Sequence, residues 1–251
     1  MLRAQSNLWL KWGLSLALVA GLPAVAIWKH SFLTQYWALF ATGMVFAALF
    51  SLYLRFEQSP VSTREIGVIA VLGMIAAVSR VPFAALPNIQ PTTFMVIVSG
   101  FVFGPRAGFM VGSTAAGVSN FFLGQGPWTP WQMLAWGLAG TTAGLIGILH
   151  PRIGRAGMIS LNLIWGYLFG WLMNLWFWTA FIQPQKWDSF LATCAASFWF
   201  DTLHALSNAG FYEVFGLKLI KVLRRFREKL QFTPMESPVN SLSQKAGPLI
   251  S

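Results

Sequence analysis

A backbone that crosses a lipid bilayer has to satisfy its own hydrogen bonds, and this chain devotes most of its length to that problem. Apolar runs of helical length cover residues 8–28, 34–54, 66–79, 92–103, 108–123, 132–149, 158–182 and 189–220. A span needs about twenty apolar residues, fewer where polar flanks complete it. Charged side chains make up 10% of the 251 residues, against about a quarter in soluble domains, and the mean hydropathy is +0.60. The expected fold class is therefore an all-α membrane protein with eight spans. The net charge of +10 does not point to nucleic acid, because the basic residues sit at the ends of the apolar runs.

Those basic residues set the expected orientation. Arg3, Lys11, Arg55, Arg64, Arg106, Arg152, Arg155 and the cluster from Lys218 onward fall in one set of alternate connections; Lys29, Arg80 and Lys186 fall in the other. Lysine and arginine collect on the cytoplasmic side, so both termini are expected in the cytoplasm of a multi-pass cell-membrane protein, as in a prokaryotic plasma membrane. The connections 81–91, 125–131 and 183–188 are then expected on the outer face. The basic stretch 218–229 suits an anionic lipid surface, and 230–251 reads as a polar, disordered tail. A composition step near Arg55–Glu65 separates two plain spans from six that are richer in Gly, Asn and Thr. The domain reading is a two-helix extension over 1–55, a six-helix unit over 56–229 and the tail over 230–251.

Within that frame the stretch 120–132, NFFLGQGPWTPWQ, carries the densest chemistry. Gly124, Gly126, Pro127 and Pro130 oppose a continuous helix. Asn120, Gln125 and Gln132 both donate and accept hydrogen bonds, and Trp128 and Trp131 are rings of the kind that settle at a membrane boundary. The stretch reads either as an interfacial aromatic belt or as a loop facing a ligand. In the last span Ser197, Asp201, His204 and Asn208 recur at helical spacing and share one face. An ionisable group inside a span marks function by default; a polar helix–helix seam is the plainer reading. On the seventh span Asn162, Gly166, Gly170 and Asn174 lie four apart, the glycines suited to close packing and Asn174 to a ligand. Arg80 closes the third span, where it can snorkel, pair with Asp201 or hold an anionic group; Asn88, Gln90, Thr92 and Thr93 follow it. The polar groups of four segments thus converge on one expected outer cavity.

Other chemistries are missing from the sequence. It has no phosphate-binding glycine loop ending in Lys-Ser/Thr and no Gly-x-Ser-x-Gly elbow. No histidine pair has metal-ligand spacing. No catalytic residue, metal or cofactor is called for. The single Cys194 allows no intrachain disulfide.

Residues from about 66 to 224 resemble the substrate-binding S components of energy-coupling factor (ECF) vitamin transporters. The resemblance rests on NIQP at 88–91 leading into a short helix, SGFVFGPRAG at 99–108, VSNFFLGQGPWTPWQM at 118–133 and the basic end. It implies that the chain binds a micronutrient from outside and delivers it through a transmembrane T component and two ATPases. It also implies docking on the T component through small residues of the first helix of the six, here Gly73 and Ala77. The subgroup resemblance points to cobalamin or a corrinoid precursor. Rings would contact Trp128, Trp131 and Trp136, amides would pair with Asn120, Gln125, Gln132 and Asn174, and Arg80, Asn88, Gln90, Thr92, Asp201 and His204 would complete the lining. The alternatives are an intramembrane enzyme acting on a lipid-like substrate through Asp201 and His204, and a ligand-free membrane assembly subunit.

Overall fold

The structure, a computed structural model, describes residues 36–58 and 62–230. The first expected span, most of the connection after it, both termini and the expected tail lie outside the described residues. The helices are α1 (Trp37–Glu57), α2 (Thr63–Val78), α3 (Thr92–Phe103), α4 (Pro105–Leu123), α5 (Thr129–Leu149), α6 (Arg155–Phe181), α7 (Trp187–Ala196), α8 (Phe198–Phe211) and α9 (Leu217–Leu230). A 3-10 turn, Val81–Phe83, follows α2, and a π-helical turn, Tyr212–Gly216, joins α8 to α9. Among the described residues three helical segments are long and apolar enough to cross a membrane: Thr63–Phe83, Thr129–Leu149 and Arg155–Phe181.

Local chemistry sets the helix ends. Ser62 caps α2 by accepting from the Glu65 amide, a standard use of a serine hydroxyl. Gly104, at φ +95°, breaks the chain between α3 and α4, and Pro105 starts the next helix in the first turn, where its missing N–H costs nothing. Gly124, at φ +106°, ends α4 in the same way.

The short α3 is the centre of the bundle. Ten of its residues are buried, including Thr92, Thr93, Ile97 and Val102. Around it pack α4 and α5, which approach so closely that Gly108 and Gly140 meet backbone to backbone. α1 joins the same core through Ala41, Val45, Leu49 and Leu52. It also reaches the neighbouring helices by side-chain bonds, Tyr53 to Ser113 at 2.8 Å and Thr42 to the Trp131 indole at 3.4 Å.

Two expectations change here. The run 189–220 is not one helix: α7 ends at Ala196, α8 starts after Ser197 and the π turn follows. The stretch 120–132 is mostly helix, because Asn120 belongs to the last turns of α4, and Thr129, Pro130, Trp131 and Gln132 open α5. Pro130 starts that helix rather than ending one. Trp131 is consequently 1% exposed inside the core instead of lying at the boundary.

Candidate functional site

The connection 81–91, the short connection 124–128 and the start of α8 come together at one end of the bundle, and three polar clusters lie beneath them. The first is centred on Arg80. Its Nε donates to Gln90 Oε1 at 2.8 Å, and Nη1 donates to Ser119 Oγ at 3.0 Å and Asn120 Oδ1 at 2.9 Å. Asn120 Nδ2 passes the network on to Thr129 Oγ1 and Gln132 Oε1. Thr129 donates in turn to Gln125 Oε1. The guanidinium also lies over the Trp136 ring, 5.1 Å from its centroid, a favourable placement for a cation. Arg80 has no carboxylate partner among the described residues, where the only ion pair joins Arg155 to Glu213. The pairing of Arg80 with Asp201 is thereby corrected: neutral acceptors from α4 and the 81–91 connection surround the guanidinium.

The second cluster hangs on Thr93. The Trp136 indole donates to Thr93 Oγ1 at 2.8 Å, and the same hydroxyl lies 2.8 Å from His204 Nε2. His204 Nδ1 is 2.9 Å from Asn88 Oδ1, and Asn88 Nδ2 donates to the Phe200 carbonyl. A neutral His204 with its proton on Nδ1 satisfies every one of these groups. Asn88 holds its place at φ +58°, a left-handed conformation that asparagine tolerates well. The rings of Trp136, Phe169 and His204 stack in series, at 4.7 Å and 5.1 Å between centroids. Thr93→Val keeps the shape but removes the hydroxyl between two buried rings. It should lower stability by about 1–3 kcal/mol, seen as a lower midpoint of thermal unfolding in detergent, with Thr93→Ser recovering most of the loss. An unchanged midpoint would refute the bridge.

The third cluster lies on the α6–α8 seam. Asn174 Nδ2 donates to Ser197 Oγ at 2.7 Å, and Ser197 donates to Asp201 Oδ2 at 2.8 Å. Asp201 is 2% exposed and fits against Gly170, where a Cβ would lie 2.1 Å from Oδ1. Gly166 meets the Ala205 backbone in the same way. Farther along, Asn208 and Asn162 Oδ1 are buried without a hydrogen-bond partner. Beside this seam a groove of about 570 Å³ opens, lined by Asn174, Phe177, Ser189, Ser197 and Phe200 among others. That volume falls within the range of small-molecule sites, about 300–1,000 Å³.

The structure therefore brings Arg80, Asn88, Gln90, Asn120, Gln132, Trp136 and His204 into one connected network, and Asn174 and Asp201 into a neighbouring one. The amides are already engaged: Asn120 with Gln132, Gln90 with Arg80, Asn88 with His204, Gln125 with Thr129 and Asn174 with Ser197. Thr92 turns the other way and donates to the Ala76 carbonyl of α2. Trp131 points to α1. Trp128 is half-buried, edge-on to Trp176 at 5.9 Å, and Gln125 is exposed. Gly73 and Ala77 are buried within the chain: a Cβ on Gly73 would lie 2.9 Å from Thr114 Cγ2, so the small residues admit α4. Ser119, Thr129 and Phe169 were not picked out from the sequence; Ser119 and Thr129 flank chosen residues, and nothing local marks Phe169. Asp201 is bonded to Ser197 while both His204 nitrogens are engaged by Thr93 and Asn88, so the two residues of the enzyme alternative sit in separate clusters.

Residues 61–225 match the family described as ECF-type riboflavin transporter, S component. The chain belongs to this S-component family. The sequence is also similar to UPF0397 proteins of Aliivibrio salmonicida and of two strains of Aliivibrio fischeri, MJ11 and ES114. Each is 27% identical over 104 residues, which cover 39% of this chain and 56% of the relative. The S component thus spans just over half the length of these curated relatives. No solved structure matches it. The matched region starts just before α2 and ends within α9, and α1 lies outside it.

Proposed function

We propose that this S component is the substrate-capturing subunit of an ECF-type vitamin importer in a prokaryotic plasma membrane, and that its ligand is a neutral, flat-ringed vitamin of the flavin class. The observation that carries the reading is the groove beside the α6–α8 seam. It offers aromatic edges from Phe177 and Phe200, and a neutral amide and hydroxyls from Asn174, Ser189 and Ser197. A fused ring with a polar edge and a polyol chain suits that lining, and a neutral ligand needs no buried countercharge. The family match supports the same class, since riboflavin is the substrate named in its description. The connection 81–91 serves as a lid: Asn88 reaches the carbonyl of Phe200, which itself lines the groove. Delivery then falls to a T component and two ATPases, and capture itself needs no ATP because the sequence has no phosphate-binding loop.

A corrinoid is the second reading. The groove is open along one side, so a larger ligand can rest partly outside it, against Trp128 and the exposed Gln125. An intramembrane enzyme acting on a lipid-like substrate through Asp201 and His204 has less support, since Asp201 is bonded to Ser197 and both His204 nitrogens are engaged by Thr93 and Asn88.

Calorimetric titration of the purified subunit with riboflavin, cobalamin, thiamine and biotin, without nucleotide, separates these readings. Heat from riboflavin alone is the expected result. Heat from cobalamin alone would move the ligand to the corrinoid class. Heat from thiamine or biotin alone would discard both ring readings, and no heat from any of the four would discard them as well and leave the ligand open.

A further inference from the structure

A second cavity lies at the opposite, basic end of the bundle. It holds about 200 Å³ between the start of α2, the end of α3 and α9. Its inner wall is apolar, with Leu72, Phe103 and Val111; its polar lining is Ser62, Glu65 and Arg227. Glu65 and Arg227 carry opposite charges in one small cavity, yet they form no ion pair, the only one among the described residues being Arg155–Glu213. Arg227 is held in place by a 2.8 Å bond from Nη1 to the Val102 carbonyl at the end of α3. That bond uses one N–H of a five-donor fork. At the start of α2 the Glu65 amide is taken by Ser62, whereas the amides of Thr63 and Arg64 have no acceptor within the helix. An anion is thus favoured between Arg227 and the α2 amides, a hydrogen-bonding cation beside Glu65, and a hydrocarbon segment against the inner wall.

One class of molecule carries all three, with the anion between the cation and the hydrocarbon. We infer that this cavity binds a phospholipid with a phosphoethanolamine head, its phosphate at Arg227 and the first turn of α2, its primary ammonium at Glu65, and the start of an acyl chain along Leu72, Phe103 and Val111. A choline head keeps the charge but has no N–H to give Glu65. A glycerol head has no cation at all. The apolar wall argues for a lipid over a free phosphate ester. The site lies away from the groove and does not depend on which vitamin the groove takes.

The test is native mass spectrometry of the full chain purified in mild detergent and exposed to equal amounts of phosphatidylethanolamine, phosphatidylcholine and phosphatidylglycerol. The wild type should retain phosphatidylethanolamine over each of the others by roughly threefold, the scale of one exposed charged contact. Glu65→Gln should erase that preference, and Arg227→Gln should lower retention of all three lipids. The thermal unfolding midpoint of both variants in detergent reports whether they are folded; if either is not, the wild-type preference alone decides. Equal retention of the three lipids by the wild type, a preference for phosphatidylglycerol, or an unchanged preference in folded Glu65→Gln would overturn the assignment. Retention of glycerophosphoethanolamine, the same head without acyl chains, as strongly as of the lipid would overturn the role of the apolar wall.

Discussion

Valine in place of Gly140 should leave almost no folded protein in the membrane. A Cβ at this position would lie 2.1 Å from the Gly108 carbonyl oxygen, and a Cβ on Gly100 would lie 2.0 Å from the Gly140 carbonyl oxygen. Three helices, α3, α4 and α5, therefore meet backbone to backbone at one level. In a bilayer, helices associate mainly by packing, and small residues make close approach possible. The clash is with backbone, so no rotamer change relieves it; α5 would have to withdraw from α3 and α4 together. Overpacking usually costs about 1–3 kcal/mol where side chains can yield, and a backbone clash exceeds that range. The chromatographic profile of a fluorescent fusion in detergent is the measurement: the variant should aggregate, whereas Gly43→Ala, which meets nothing within 4 Å, should run as wild type. A monodisperse Gly140→Val protein with the wild-type unfolding midpoint would disprove the close crossing.

The pattern behind this crossing is visible in the sequence, but its partners are not. Gly104-Pro105 reads as a turn signal in the sequence, and α3 and α4 part there. The helical spacing of Asp201, His204 and Asn208 already puts them on one face, and all three are buried. Other features depend on contacts that no local pattern encodes. Trp128 and Trp131 are the same residue three positions apart, and only the start of α5 at Thr129 decides which ring turns inward. Thr92 and Thr93 are adjacent, yet about 100° apart around the helix, so one faces α2 and the other joins Trp136 to His204. The break at Ser197 has no proline or glycine to announce it; the serine instead bonds sideways to Asn174 and Asp201. For Arg80 the sequence leaves open snorkelling, Asp201 or an anionic ligand group; the neutral acceptors it meets are set by where α4 ends.

Arg80 is also where loss of one side chain should weaken ligand capture most. Its guanidinium joins the 81–91 connection, through Gln90, to Ser119 and Asn120 at the end of α4, while covering the Trp136 ring. Asn88, in the same connection, is bonded to His204 and to the Phe200 carbonyl beside the groove. Arg80→Met keeps a long apolar stem but removes three hydrogen bonds from a charged donor, each worth about 1.5–3 kcal/mol in net terms. It also strips Gln90 Oε1 of its donor. If only about 2 kcal/mol of that reaches the bound state, affinity falls about thirtyfold. The loss should appear in the dissociation rate, because the connection proposed as the lid, no longer tied down, opens more often, while the encounter with the groove is unaltered. Arg80→Lys retains the charge but not the planar fork that serves three acceptors at once, so it should fall between the two. Stopped-flow release of riboflavin, the ligand proposed above, from the purified S component reads this directly. Wild-type release from Arg80→Met would mean that the 81–91 connection does not close the site, and a slower association with unchanged release would make Arg80 part of the entry path instead.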